Sequence, residues 1–306
     1  MFHVEPLTKE TSFEPPNQCL VCYAETPRFL FLTSDWFLTH EEFAVMKCNS
    51  CHSHFTWPQP DISRLGNYYK SEDYVSHSNT RKGIVNSLYQ IVRNVALNNK
   101  YKLIARYADK GTLLDIGCGT GHFLNHFNKN GWQVEGIEPG EAARNHAKEV
   151  FGLSVHPEEA LDTFEKQVFD VITMWHVLEH VPNPHTRLKQ VKQLLKPNGL
   201  ALFALPNPDA WDAKHYGEYW AAWDVPRHLY HFNRDSFKYL LEQHGFELMK
   251  TLPMPFDAYY VSMLSEKYKT GKTNLVKALL NGFRSNRYAS RTGNASSHIY
   301  LAKINQ

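Results

Sequence analysis

The chain has 306 residues, long enough for about two domains and a sizeable core. Its formal net charge of +2 gives no warrant for a nucleic-acid partner, and Met1-Phe2-His3-Val4-Glu5 leads into a polar, proline-containing segment unlike a signal peptide. No stretch approaches the roughly 20 apolar residues that span a bilayer; the longest apolar run, Leu200 to Leu205, reads as a buried strand, and a cytoplasmic location is the expectation.

In chain order, the first chemistry is a pair of knuckles, Cys19-x-x-Cys22 and Cys48-x-x-Cys51, with 25 residues between them. In a reducing compartment such pairs are more often metal ligands than disulfides. Four thiolates at this spacing close a tetrahedral shell, which suits a structural zinc with no open position. His52 and His54 read as bystanders, because the cysteines already complete the set. Phe29 to Leu32 and Phe43 to Lys47 are short β-like runs and Trp57-Pro58-Gln59-Pro60 closes them off, so residues 1–65 are expected to form a zinc ribbon. A module this small has little core, and metal binding would supply much of its stability.

Residues 66–110 read as a helical linker, with Ile84, Leu88, Ile91 and Val95 at helical spacing. Tyr68, Tyr69, Tyr74 and His77 precede it and have two readings: cement between ribbon and main domain, or part of a cover over a ligand.

From 111 to 206 strand and helix patterns alternate: 112–117, 122–130, 133–138, 141–150, 153–156, 169–175, 185–195 and 199–205. Such alternation predicts a parallel sheet wrapped by helices, with ligands at the carboxyl ends of the strands. A helix near 234–244 and strands at 246–251 and 297–304 complete a seven-stranded, mostly parallel, Rossmann-like α/β fold behind the ribbon. Its first strand runs Leu113-Leu114-Asp115-Ile116 into Gly117-Cys118-Gly119-Thr120-Gly121. Glycines at alternate positions suit a sharp turn, or a ligand that approaches closer than a Cβ allows. The next strand ends in Glu138, 17 positions beyond Gly121, where a carboxylate can accept both hydroxyls of a ribose.

These residues resemble the class I S-adenosylmethionine-dependent methyltransferases. The match runs through Asp115-x-Gly117-x-Gly119-x-Gly121, then Glu138, then Phe169 to His180, then Leu195-Lys196-Pro197-Asn198-Gly199, in the family's order over some ninety residues. The resemblance implies S-adenosylmethionine as methyl donor, held by Asp115, Gly117, Cys118, Gly119, Thr120, Gly121 and Glu138, with Trp175 and His176 lining the cleft. It also implies an antiparallel last strand and a cofactor-covering role for the helices before the sheet. Glu179-His180 is similar to a signature of the quinone and small-molecule O-methyltransferase branch, which makes His180 a candidate for catalysis or for ordering the loop before Pro182-Asn183-Pro184. Glu158 and Glu159 fall near an expected adenine-side contact.

Two inserts carry no transferable motif and are expected on the substrate side. Residues 207–233 are crowded with aromatics and histidines, and Asp224, Arg227 and His228 stand out: an orienting acid, an anion-binding cation and a general base for an alcohol or phenol. Residues 254–296 are expected to contain a helix, Thr273 to Phe283, with Leu275, Val276, Leu279, Leu280 and Phe283 on one stripe.

Charge separates the ends. Residues 1–80 hold five Lys/Arg against ten Asp/Glu, a net of −5, which is poorly suited to phosphates. Residues 264–291 hold seven Lys/Arg against Glu266 alone, a net of +6. Such a helix either packs normally with a solvated charged face, the plainer reading, or meets an anionic membrane as a peripheral contact. The leading expectation is methyl transfer to a small-molecule acceptor, with a lean towards oxygen. The alternatives are a ribosomal RNA methyltransferase with its own zinc module, a C-methyltransferase of nucleotide-linked sugars, and a non-catalytic binding protein of the same fold. The acidic ribbon and the lack of an Asn-Pro-Pro-Tyr-type motif weigh against RNA. Oligomeric state is left open.

Overall fold

The computed structural model describes residues 14–69 and 84–305. Tyr74 and His77, and the side chains of Ile84, Leu88 and Ile91, lie outside the described residues. The ribbon strands are β1 (Arg28–Ser34), β2 (Glu42–Lys47) and β3 (His54–Trp57), joined by antiparallel pairing. The first two match the expected β-like runs; β3 follows directly on the second knuckle. One helical turn, α1 (Ile62–Leu65), leads to Tyr69, and α2 (Ile84–Ile104) delivers the chain to the main sheet.

That sheet starts with β4 (Thr112–Ile116), α3 (His122–Lys129), β5 (Gln133–Ile137), α4 (Glu141–Phe151) and β6 (Val155–His156). It continues with β7 (Phe169–Trp175), α5 (Pro184–Leu194) and β8 (Leu195–Pro206). After the first insert, with α6 (Trp211–Tyr216) and β9 (Tyr230–His231), come α7 (Arg234–Gln243) and β10 (Phe246–Pro253). The second insert is the helix pair α8 (Asp257–Thr270) and α9 (Leu275–Thr292), and β11 (Ser297–Ile304) ends the fold.

The seven main strands lie in the order β10-β11-β8-β7-β4-β5-β6, and β11 runs antiparallel to both neighbours. The remaining pairs are parallel, so the sheet has the composition and the antiparallel last strand expected from sequence. Both faces are buried, as parallel sheets require. Leu113, Val171 and Leu200 sit in register on one face against Ile104 of α2 and Phe123 and Phe127 of α3. One residue on, Leu114, Ile172 and Ala201 point to the other face against Leu188 of α5 and Phe237 of α7. From β4 the chain proceeds outwards to β5 and β6, then returns to place β7 on β4's other side. The carboxyl ends of β4 and β7 therefore flank the crevice where this class of sheet binds ligands.

The ribbon is wedged between two cores. Ala44 and Met46 of β2 join the main cluster with Cys19, Cys48 and Cys51, while Phe43 and Val45 face Tyr216, Trp220 and Trp223 of the first insert. β3 pairs with β9, so a strand from 230–231 becomes the fourth of the ribbon sheet. The aromatic crowding of 207–233 is thus largely core: Trp220 and Tyr216 are fully buried, and the Trp220 indole N–H donates to Asp212 at 2.8 Å. Tyr68 is cement, buried against Phe43 and donating to Glu41 at 2.6 Å. The apolar stripe of α9 is the largest departure from the plain reading. Leu275, Val276, Leu279, Leu280 and Phe283 all face outward.

Candidate active site

The glycines of the turn after β4 differ in what surrounds them. Gly117 and Gly119 both have positive φ, +76° and +54°. A Cβ on Gly117 would come 2.3 Å from a methyl of Val177, so this glycine lets the turn after β7 press against the turn after β4. A Cβ on Gly119 would meet nothing within 4 Å. The space beside it is open to a bound molecule, and its backbone N–H donates to Glu138 Oε2 at 2.9 Å. Gly121 starts α3 and packs on Ala147 and Leu153. Thr120 lies half-buried between them.

Glu138 is fixed from both sides, because its other oxygen accepts the Gly140 N–H at 2.8 Å. Each carboxylate oxygen keeps a second lone pair for a ligand hydroxyl. Asp115, at the end of β4, is buried and accepts the Thr173 hydroxyl at 2.6 Å. Burial pushes its carboxyl up, opposed by the Thr173 bond and the Lys100 cation. Cys118 is buried too, and burial pushes its thiol well up, so it stays protonated and is a packing group.

The end of β7 builds the opposite wall. Trp175 stacks under the Lys100 ammonium, 3.8 Å from ring centroid to Nζ, and meets Phe123 edge-on at 5.5 Å. Its buried indole nitrogen has no hydrogen-bond partner among the described residues. Lys100 itself is driven down by burial, with Asp115 and Asp257 opposing.

His176 takes a left-handed backbone, φ +56°, which costs a non-glycine residue of order 1–3 kcal/mol and must be held by its surroundings. Its N–H donates to Ala204 O at 3.0 Å, Nδ1 lies 3.2 Å from Glu179 Oε1 and Nε2 3.1 Å from Asp257 Oδ2. Burial works against the imidazolium, but Asp257 and then Glu179 outweigh it and raise the ring to about 10. The stability from this charge is therefore complete below the ordinary value of 6.5 and is lost as pH climbs through about 10. Removing the stronger partner in Asp257→Asn should move that loss to lower pH. An NMR titration of the His176 ring checks it, and an unmoved midpoint would refute the assignment.

Glu179 continues the array. Burial raises its carboxyl, yet the His176 bond and charge, with His228 and His180, together outweigh this and lower it. Its Oε2 is buried without a hydrogen-bond partner among the described residues. The carboxylate and one ring nitrogen each of His180 and His228 lie within 4.8 Å of one another. His180 and His228 meet edge to face at 4.5 Å. Burial, then the neighbouring His228, lowers His180 to about 4, so it is neutral at pH 7. Its Nδ1 is 3.0 Å from both the Tyr69 hydroxyl and the Arg227 carbonyl. Tyr68 thus packs the linker down and Tyr69 reaches the site.

His228 Nδ1 lies 2.9 Å from Ala222 O, a bond that needs the proton on Nδ1. In that tautomer Nε2 carries the lone pair, and Asp224 Oδ2 stands 3.9 Å from it. Arg227 corrects a sequence expectation. It is buried, its guanidinium donating to Asp35 at 2.7 Å, to Asp224 at 2.7 Å and to Tyr68 O at 3.1 Å. This cation locks ribbon to insert. Glu158 likewise is engaged by Arg187.

Sequence reasoning missed Lys100 and Asp257. Both sit on helices without a motif and reach the crevice only through tertiary packing, so no local signal marks them.

The four cysteines converge as the spacing predicted. Cys19 and Cys51 sulfurs are 3.8 Å apart, Cys22 and Cys48 3.4 Å, and all four lie within 4.8 Å of one another. Tetrahedral zinc with Zn–S of about 2.3 Å needs sulfurs roughly 3.8 Å apart. Backbone N–H groups of Val21 and Ser50 donate to Cys19 and Cys48 sulfurs at 3.3 Å each, which favours thiolates. His52 and His54 stand outside this cluster, as expected.

Fold and donor turn together are those of a class I S-adenosylmethionine-dependent methyltransferase. A family model described as a methyltransferase domain matches residues 91–251, over half of the chain, and the chain belongs to that family. The ubiquinone biosynthesis O-methyltransferase of Nitrosococcus oceani is 32% identical over 184 residues, which cover 56% of this chain and 75% of that protein. The one from Actinobacillus pleuropneumoniae is 38% identical over 107 residues, 31% of this chain and 45% of that protein. The chain thus spans about half the length of several of the curated relatives it matches. Among solved structures, a SAM-dependent methyltransferase from Archaeoglobus fulgidus aligns with a TM-score of 0.49 at 18% identity, over 69% of this chain and 94% of that one.

Proposed function

We propose that this protein transfers a methyl group from S-adenosylmethionine to a hydroxyl oxygen of a small-molecule acceptor. The observation that carries the reading is the open position at Gly119, clamped to Glu138, on a turn whose Gly117 packs against Val177, between His176 and the Glu179, His180 and His228 cluster. The relatives' names, ubiquinone biosynthesis O-methyltransferases, favour oxygen as the acceptor atom.

Asp115, Gly117, Cys118, Gly119, Thr120 and Gly121 form the cradle, with Trp175 and His176 as the far wall. Glu138 accepts the ribose hydroxyls, and its bonds to Gly119 and Gly140 hold both oxygens in place beforehand. When bound, the donor supplies an electrophilic methyl whose C–S bond breaks with the electron pair kept by sulfur. The chain's own task is to align the acceptor oxygen and take its proton. His228 Nε2 is the base, Asp224 stabilises the imidazolium it becomes, and neutral His180 holds it edge-on. His176, charged at neutral pH between Asp257 and Glu179, orients the loop and does not accept protons. Residues 1–65 act as a zinc-stabilised ribbon, 66–110 as the cover, and 111–306 as the transferase domain, with 207–233 and 254–296 shaping the acceptor side.

His228→Ala should lower kcat for a catechol-type acceptor by about 10²–10⁴-fold, the usual worth of a general base, with donor affinity unchanged. Full turnover in that variant would end the base assignment. Failure of the wild-type chain to bind S-adenosylhomocysteine by calorimetry would end the whole reading.

A further inference from the structure

Helix α9 is built inside out. Its buried residues are small or polar, Ala278, Asn281, Gly282 and Ser285, while Leu275, Val276, Leu279, Leu280 and Phe283 are 52–68% exposed. The seating is specific. A Cβ on Gly282 would come 2.9 Å from the Tyr259 Cα, so α9 lies against α8 at a distance that only glycine permits. Asn281 donates to the Tyr216 hydroxyl at 2.9 Å and Ser285 to Asp212 at 2.6 Å, and these bonds fix the helix's rotation. Turning the apolar stripe inward would break both bonds and drive Phe283 towards a contact sized for Gly282. Among the described residues nothing covers the stripe, and its rotation is fixed by the bonds on the other face.

Charge says what covers it. Lys272, Lys277, Arg284 and Arg287 are exposed on and around the same helix, and Lys267 and Lys269 end α8 beside it. No acid occurs in 267–306, and the nearest, Glu266, is buried and accepts from Tyr216 and Asn281. Two copies of this face would oppose cation to cation. An anionic surface complements it. No helix among the described residues is long and apolar enough to cross a membrane, so α9 would lie in the interface plane, about 27 Å long at 1.5 Å per residue.

We propose that α9 docks this protein on an anionic lipid surface, with the Leu275–Phe283 stripe inserted at the headgroup level and the flanking lysines and arginines on the phosphates. The chain should co-sediment with vesicles of phosphatidylcholine containing one third phosphatidylglycerol, be released by salt, and leave pure phosphatidylcholine vesicles largely unbound. The double variant Leu280→Glu, Phe283→Glu should lose about tenfold or more in partitioning, and Lys272→Glu, Lys277→Glu should lose a similar factor. These side chains are exposed, so thermal midpoint and S-adenosylhomocysteine binding should stay at wild-type values in both variants. Equal binding to neutral and anionic vesicles, or undiminished binding by both variants, would overturn the proposal. So would absence of vesicle binding together with a dimer, seen by light scattering, that Leu280→Glu, Phe283→Glu dissolves: the face would then belong to a second copy.

Discussion

Glu138→Ala should weaken binding of S-adenosylhomocysteine by roughly 10²–10³-fold in isothermal calorimetry. Two hydrogen bonds from ligand hydroxyls to an ionised carboxylate are worth about 1.5–3 kcal/mol each, and the shared acceptor makes them less than additive. A total of about 3–4 kcal/mol corresponds to that factor. A second effect adds to it. Glu138 holds the Gly119 N–H at 2.9 Å, so its loss also loosens the open turn against which the donor would lie. Folding should suffer little, since the carboxylate is half-buried at a strand end and the two amides it releases sit close to solvent. The expected signature is a large loss in donor affinity with a thermal midpoint close to wild type. Wild-type affinity in this variant would remove Glu138 from the site, whatever the activity.

The second large effect is expected at the ribbon. Cys48→Ser should bring bound zinc, measured by atomic emission on protein grown in zinc-replete medium, from about one per chain to near zero. Structural zinc contributes roughly 10–16 kcal/mol of apparent binding free energy in small zinc-finger peptides, comparable to the roughly 5–15 kcal/mol that holds a whole domain together. Here the ribbon has other attachments, the β3–β9 pairing and the Arg227 to Asp35 ion pair, so part of its order should survive. Hydrogen exchange over residues 17–57 should accelerate strongly, and that over β4 and β7 much less. Turnover should fall more than donor affinity, because ribbon residues support the segment that holds the proposed base: Thr56 donates to His228 O at 2.6 Å, and Asp35 pairs with Arg227. A wild-type chain without zinc, or a variant with unchanged exchange, would refute the metal assignment.

Sequence and structure part company where contacts are long in sequence. Arg227 illustrates this: beside Asp224 and His228 it suggested an anion-binding group, but Asp35, 192 positions earlier, captures it. Asp257 is ordinary in sequence and gains its meaning from His176, 81 positions before it. The stripe on α9 was legible as a stripe, but its direction was not. Periodicity reports that apolar residues share a face, and only the partner helix determines which face is inward.

What the linear sequence determined by itself was therefore local: the alternation that makes a parallel sheet, the glycine turn, Glu138 at the end of the second strand, and the two cysteine knuckles. Each depends on backbone conformations or ligand spacings confined to a few neighbouring residues. The tertiary structure alone decided that β9 would complete the ribbon sheet, that Arg227 would be a lock, that His176 would be held charged, and that α9 would face its leucines outward. Those outcomes depend on which distant surfaces are buried together, and burial is a property of the packed chain that no short segment encodes.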